Sequence, residues 1–226
     1  MKTALKPGVR WEAAAVFDEC TGRSLIPRDE SALLVEGFAS AFLSPGEWCA
    51  LVRDAIRQRS AVALVVAVRL SVRRYRPRSV AGVLSCACRV AIPATIAAGS
   101  LAIVALTIPV VIFGQLREVA VTIALGMLIL NVSLTLHETA HLLTMRMFNG
   151  RDVGALERCG LSPRTLGRDG LFRSRSIAVS GPLIGALAAL GLGAVIPESH
   201  GAAAIVAVFH FANLAPFAPD GRLAWA

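Results

Sequence analysis

Apolar residues in the second part of the chain occur in four long runs that charged residues rarely interrupt. A helix needs about 20 apolar residues to cross the hydrocarbon core of a bilayer, so each run is long enough, or nearly so, to span a membrane. The pattern therefore predicts an all-α polytopic membrane protein with about four transmembrane helices. The predicted spans are residues 90–113, 119–143, 177–196 and 202–218.

Residues 1–80 show a different pattern, in which short apolar runs alternate with turns. Runs at 9–17 and 24–27 flank a turn at residues 19–22, as in a β-hairpin. A capping box at residues 44–47, with Pro at the first helical position, predicts a helix that runs toward Arg59. We therefore predict a small α+β cytosolic region, followed by a membrane domain at residues 81–226.

The remainder of the first region is less regular. Asp29, Glu30 and Ser31 predict another helix start, and the apolar run 61–68 is too short to cross a bilayer, so it is expected to be a buried segment. Arginines at 73, 74, 76 and 78 predict a basic linker next to the membrane.

Composition agrees with a membrane location. Hydrophobic residues make up 55% of the 226 positions, above the roughly 45–50% of soluble domains. The aromatic share is only 6%, and the apolar mass consists of small and aliphatic residues, which allow membrane helices to pack closely.

The net charge of +8 comes mainly from arginines that cluster at 69–89 and 146–175, beside apolar runs. A basic chain could bind nucleic acid, but this placement favours cytoplasmic anchors at a lipid bilayer, and we expect no nucleic-acid partner. Both termini are then cytoplasmic, and the compact arginine-rich chain suggests a bacterial inner membrane. The five cysteines are an odd number, and their predicted location at the cytoplasmic side predicts free thiols.

The second apolar run contains the pattern His-Glu-x-x-His at residues 137–141. On a helix, His137 and His141 share one face and can bind one zinc ion, with Glu138 directly after the first histidine. The alternative is that neighbouring helices satisfy three buried polar groups. Ionisable groups in an apolar span are costly and normally mark a functional site, so the pattern favours zinc.

A catalytic zinc ion typically has three protein ligands and one open position. Asp220, at the end of the fourth apolar run, is the candidate for the third ligand. The arginine distribution places this end of the run on the cytoplasmic side, where His137 is also expected.

Three motifs together resemble the site-2 protease family of membrane zinc metalloproteases. They are His-Glu-x-x-His at 137–141, Ser-Gly-Pro at 180–182, and Asn-Leu-x-Pro at 213–216 followed by Asp-Gly at 220–221. The resemblance covers residues 119–221 and implies a three-helix catalytic core, with the run 90–113 as an added span.

For the site, the resemblance implies zinc ligands at His137, His141 and Asp220 and a general base at Glu138. Asn213 would bind the substrate or the developing oxyanion, and Gly181 would lie beside the substrate. The segment before Asp220 is one residue shorter than in that family, and Pro219 occupies a place where Leu is common. Asp220 is therefore expected to be displaced by a fraction of a helical turn.

These features predict a zinc-dependent membrane endopeptidase that hydrolyses a peptide bond at or within the cytoplasmic side of the membrane. The alternative is a non-catalytic zinc-binding membrane protein, a transporter subunit or a peptide-binding partner, which the shortened motif would favour. A transporter is expected to show two internally similar halves, and the sequence has no such repeat.

Residues 9–12, the turn at 21–23 and the predicted helix at 31–37 resemble small winged-helix modules that bind leader peptides in bacterial peptide-modification pathways. This resemblance implies a leader peptide as a partner and a ribosomally made peptide as the substrate. Otherwise the resemblance to the site-2 protease family implies a membrane-anchored regulator or a signal-peptide remnant as the substrate.

Overall fold

The structure, a computed structural model, describes residues 2–7, 9–20, 23–28, 39–42, 45–59, 73–113, 116–150, 153–159, 162–167 and 175–225. The strands are β1 (Lys2–Leu5), β2 (Val9–Glu12), β3 (Ala15–Asp18), β4 (Ser24–Leu25), β5 (Ala39–Phe42), β6 (Arg73–Tyr75), β7 (Ala155–Cys159) and β8 (Ser162–Leu166). The helices are α1 (Pro45–Arg57), α2 (Val80–Phe113), α3 (Leu116–Asn149), α4 (Arg175–Val195), a 3₁₀ turn (Pro197–Ser199), α5 (His200–Ala212) and α6 (Pro219–Trp225).

Among the described residues, α2, α3 and α4 are long and apolar enough to cross a membrane. Helices α2 and α3 each contain 34 residues, so each is about 50 Å long and exceeds the roughly 30 Å hydrocarbon core. The predicted runs at 90–113 and 119–143 are thus the apolar parts of longer helices. This confirms the largely helical architecture that the sequence predicted for this part of the chain.

The fourth apolar run does not form one helix over residues 202–218, as the sequence predicted. Helix α5 has 13 residues, about 20 Å of helix, which is shorter than a usual span. Turns occupy residues 213–218, and α6 begins at Pro219. Pro216 and Pro219 lack the N–H groups that would continue a helix, which accounts for the interruption.

Helix α4 packs between α3 and α5 through small side chains. A fully apolar cluster joins the three helices, and four of its six buried members are alanines near the middle of α4 and in α5. The cluster consists of Ile129, Ala186, Ala189, Ala203, Val206 and Ala207. Small residues let helix backbones approach closely, and this packing brings α3 and the end of α5 together.

In the first region, β2, β3 and β4 form an antiparallel sheet in that order. The predicted hairpin is present, since Val16 pairs with Leu25. However, the run 9–17 is not one strand: it turns at Ala13, whose φ of 52° is left-handed, and β2 folds back on β3. Helix α1 begins at Pro45 and ends at Arg57, close to prediction. The predicted helix at 31–37 and the run 61–68 lie outside the described residues.

The basic stretch at 73–78, predicted to be a linker, contains strand β6. This strand pairs with β7, and β7 pairs with β8, so a three-stranded antiparallel sheet forms from two segments that flank α2 and α3. Leu156 of β7 packs with Val83 and Leu142 of these helices. The predicted basic linker thus contains a strand, which the arginine content of the stretch did not indicate.

Arg74 is in fact buried, within a network of charged side chains that connects the two regions. Its guanidinium binds Asp18 of β3 at 2.8 Å and Glu157 of β7 at 3.2 Å, and Lys6 binds Glu157 at 3.2 Å. Burial alone lowers the pKa of Arg74, but the charges of Asp18 and Glu157 outweigh it and raise that pKa. The network fastens the first region to the sheet β6–β7–β8.

Candidate metal centre

Helix α3 places His137 and His141 on one face, as the four-residue spacing requires. Their Nε2 atoms lie 3.1 Å apart, and both side chains are buried. The rings meet edge to face. Two imidazole nitrogens therefore converge on one point.

Asp220 reaches the same point from the first turn of α6. Its Oδ2 atom lies 3.3 Å from Nε2 of His137 and 3.4 Å from Nε2 of His141. Gly221 makes this possible, because its N–H donates to the carbonyl of Asn213 at 2.8 Å and a Cβ there would lie 1.9 Å from the Ala215 carbonyl oxygen. The shortened motif thus does not keep Asp220 from the histidines.

The three ligand atoms fit a metal ion. Atoms that bind one tetrahedral zinc ion at about 2.0–2.1 Å lie about 3.3 Å from one another. The three separations, 3.1, 3.3 and 3.4 Å, are close to that value. Among the described residues, His137, His141 and Asp220 form a group that could hold a metal ion.

The second nitrogen of His141 is fixed by the start of α4. Nδ1 lies 2.7 Å from the carbonyl oxygen of Ile177, which can only accept, so Nδ1 carries the hydrogen and Nε2 keeps its lone pair for a metal. Gly181 lies against the same ring, and a Cβ there would be 2.3 Å from Nε2 of His141. Gly181 therefore leaves space for a candidate ligand; its predicted contact with substrate remains a prediction.

The second nitrogen of His137 faces another histidine. Nδ1 of His137 lies 3.1 Å from Nδ1 of His210, and Nε2 of His210 lies 2.9 Å from the hydroxyl of Ser133. His210 is fully buried, and Gly185 of α4 borders its ring, since a Cβ there would be 2.7 Å from the imidazole. Three of the four histidines in the chain thus meet at this site.

Glu138 is buried beside the two histidines and is held by β8. The Thr165 hydroxyl lies 2.8 Å from Oε2 of Glu138 and 3.3 Å from the Glu138 carbonyl oxygen. The carboxylate is thus directed by the sheet β6–β7–β8.

Asn213 caps the end of α5, is half-buried and lies seven positions before Asp220. Its carbonyl accepts the Gly221 N–H, so its backbone supports the turn that presents Asp220. The predicted role of its side chain toward substrate remains a prediction.

In the sequence, a packing role explains His210 at least as well as a contact with the site, and no pattern singles out Thr165 or Ser133. The feature of the sequence that could have identified His210 as part of the site is its ionisable side chain within an apolar run. No local pattern marks Thr165, because its contact with Glu138 forms only when β7 and β8 pair as a hairpin.

Comparisons of the chain with protein-family models, curated proteins and solved structures found no match.

Proposed function

We propose that the protein is a zinc-dependent membrane endopeptidase that cuts a peptide bond at or within the cytoplasmic side of the membrane. The observation that carries the proposal is the convergence of His137, His141 and Asp220, with Glu138 next to the first ligand. The donor set of two imidazoles and one carboxylate is typical of catalytic zinc sites with an open fourth position.

When bound, zinc supplies a Lewis acid for the scissile carbonyl and a water of lowered pKa. His137, His141 and Asp220 would hold the ion. Glu138 takes the proton from the attacking water and delivers it to the leaving amine, a role that requires a carboxylate near the metal but not bound to it. Its contact with Thr165, on a different element from the ligands, supports this division of roles.

The accessible side of the site is that of Asp220. The Asp220 side chain is 18% exposed, against 7% for His137 and 3% for His141. Phe217 and Trp225, on either side of Asp220 in sequence, are exposed, and tryptophan side chains favour the membrane–water interface. These features support an opening where a peptide can meet both water and lipid.

The substrate we propose is a peptide or a membrane-anchored protein. Residues 1–80 are the candidate site for a leader peptide, which would deliver a ribosomally made substrate. The buried ion pairs of Arg74 support this arrangement, because they hold the first region against the sheet that contacts Glu138.

The test compares wild type with Glu138→Gln, both purified in detergent and loaded with zinc. Each is incubated with a library of peptides, and new termini are identified by mass spectrometry. We expect new termini only with wild type and equal zinc content in both. Cleavage at the wild-type rate by Glu138→Gln would contradict the role of Glu138. Zinc binding with no cleavage by wild type would favour the non-catalytic alternative.

A further inference from the structure

His210 forms the middle of a buried chain of polar groups that ends at the metal centre. The chain runs from the Leu130 carbonyl through the Ser133 hydroxyl to Nε2 of His210, and from Nδ1 of His210 to Nδ1 of His137. All three side chains are at least nine-tenths buried. Their hydrogen bonds must therefore be satisfied by one another.

The Leu130 carbonyl sets the donor-to-acceptor direction of these hydrogen bonds. The Ser133 hydroxyl lies 3.1 Å from this oxygen, which can only accept, so the hydroxyl hydrogen points there. The Ser133 oxygen then accepts from Nε2–H of His210, whose Nδ1 is left with a lone pair. That lone pair accepts from Nδ1–H of His137, and Nε2 of His137 keeps its own lone pair toward Asp220.

The opposite direction would have a different result. If Ser133 donated to His210, His210 would donate to His137, and the hydrogen of His137 would lie on Nε2, between the candidate ligands. Such a histidine cannot bind a metal through Nε2. The donor-to-acceptor direction of these hydrogen bonds thus determines whether His137 can be a ligand.

From this geometry we infer that His210 is a positioning residue that holds His137 in the tautomer and orientation that bind the metal. The inference rests on the metal centre of the proposed function and adds a residue to it. It also explains Gly185, since any larger residue there would displace the His210 ring. His141 needs no such partner, because the Ile177 carbonyl fixes its tautomer directly.

The experiment measures the zinc dissociation constant by competition with a coloured chelator. His210→Leu removes the acceptor, and His210→Asn restores one near the place of Nδ1. His200→Leu is the matched control, because His200 is exposed and outside the site. Loss of an outer partner of a metal-binding histidine typically weakens metal binding by about ten- to a hundredfold. We expect that loss in His210→Leu, substantial recovery in His210→Asn and no change in His200→Leu.

A spectroscopic readout separates positioning from general loss of structure. The visible absorption of the cobalt-substituted protein reports the coordination geometry, and we expect it to change in His210→Leu and to return in His210→Asn. Should His210→Leu fail to fold, Ser133→Ala takes its place, because it removes one hydroxyl and leaves His210. Wild-type affinity and spectrum in a folded His210→Leu, or in Ser133→Ala in its place, would overturn the inference.

Different results would contradict the positioning role of His210 and the metal centre itself. His137→Ala is the reference for loss of a ligand. If His137→Ala loses zinc and His210→Leu keeps it, the positioning role is wrong and the metal centre stands. If wild type itself binds no zinc, the metal centre and the proposed function are wrong together.

Discussion

The hydroxyl of Thr165 lies 2.8 Å from Oε2 of Glu138, although the two residues are 27 positions apart and belong to a strand and a helix. A hydrogen bond to a charged group contributes about 1.5–3 kcal/mol, and each 1.36 kcal/mol corresponds to about tenfold in rate. We therefore expect Thr165→Val to lower kcat by about ten- to a hundredfold, because the carboxylate loses its orientation.

The measurement is the cleavage rate of a peptide identified with wild type, alongside the zinc content. Thr165→Ser keeps a hydroxyl and should retain most of the activity, while all three proteins bind the same amount of zinc. A Thr165→Val protein that cleaves as fast as wild type would show that the contact does not orient Glu138.

Gly181 offers a test of the packing around the metal centre. In Gly181→Ala the new Cβ would lie 2.3 Å from Nε2 of His141, so the imidazole must move and zinc binding should weaken sharply. Gly191→Ala is the control on the same helix, because its Cβ would meet nothing within 4 Å. Alanine is also favoured over glycine inside a helix by about 0.5–1 kcal/mol.

Zinc titration of both purified variants decides the matter. We expect weak binding in Gly181→Ala and wild-type binding in Gly191→Ala. Equal zinc affinity in the two variants would mean that the His141 ring does not depend on the space at Gly181.

Part of the geometry of the site was predictable because it depends on local structure. His137 and His141 share a helix face through their spacing alone, and Pro216 and Pro219 lack the N–H groups that a continuing helix needs. Asp220 followed from the arginine distribution, which put it on the same side as His137. For the two histidines and the two prolines, rules that act within one or two turns were sufficient, whereas the prediction for Asp220 used the charge distribution along the whole chain.

The sheet β6–β7–β8 was not predictable in this way. Its outer strands come from segments rich in arginine, which sequence patterns assign to solvent, and Arg74 is buried only because Asp18 and Glu157 accompany it. These partners are 56 and 83 positions away. The contact between Thr165 and Glu138 depends on this sheet, so it could not be predicted from the sequence either.

The charge network predicts a large difference between two arginine substitutions. Arg74→Met leaves Asp18 and Glu157 buried without the guanidinium, and breaking a buried ion pair costs about 3–5 kcal/mol in the free energy of unfolding. Arg10→Met is the control, since Arg10 is 60% exposed beside Glu12 and Glu19, and exposed pairs contribute about 0–1 kcal/mol.

Thermal unfolding in detergent, followed by tryptophan fluorescence, measures the difference. We expect Arg74→Met to lower the Tm by about 10 °C, and Arg10→Met by no more than about 4 °C. Equal Tm values for the two variants would contradict the view that Arg74 fastens the first region to the sheet.

The central claim is that His137, His141 and Asp220 form one zinc centre, and the zinc-to-protein ratio tests it most directly. The ratio is measured by elemental analysis on wild type, on Asp220→Asn, and on Asp54→Asn, whose carboxylate is exposed on α1. We expect about one zinc per chain in wild type and in Asp54→Asn, and far less in Asp220→Asn. Undiminished zinc in Asp220→Asn, or no zinc in wild type, would contradict the account.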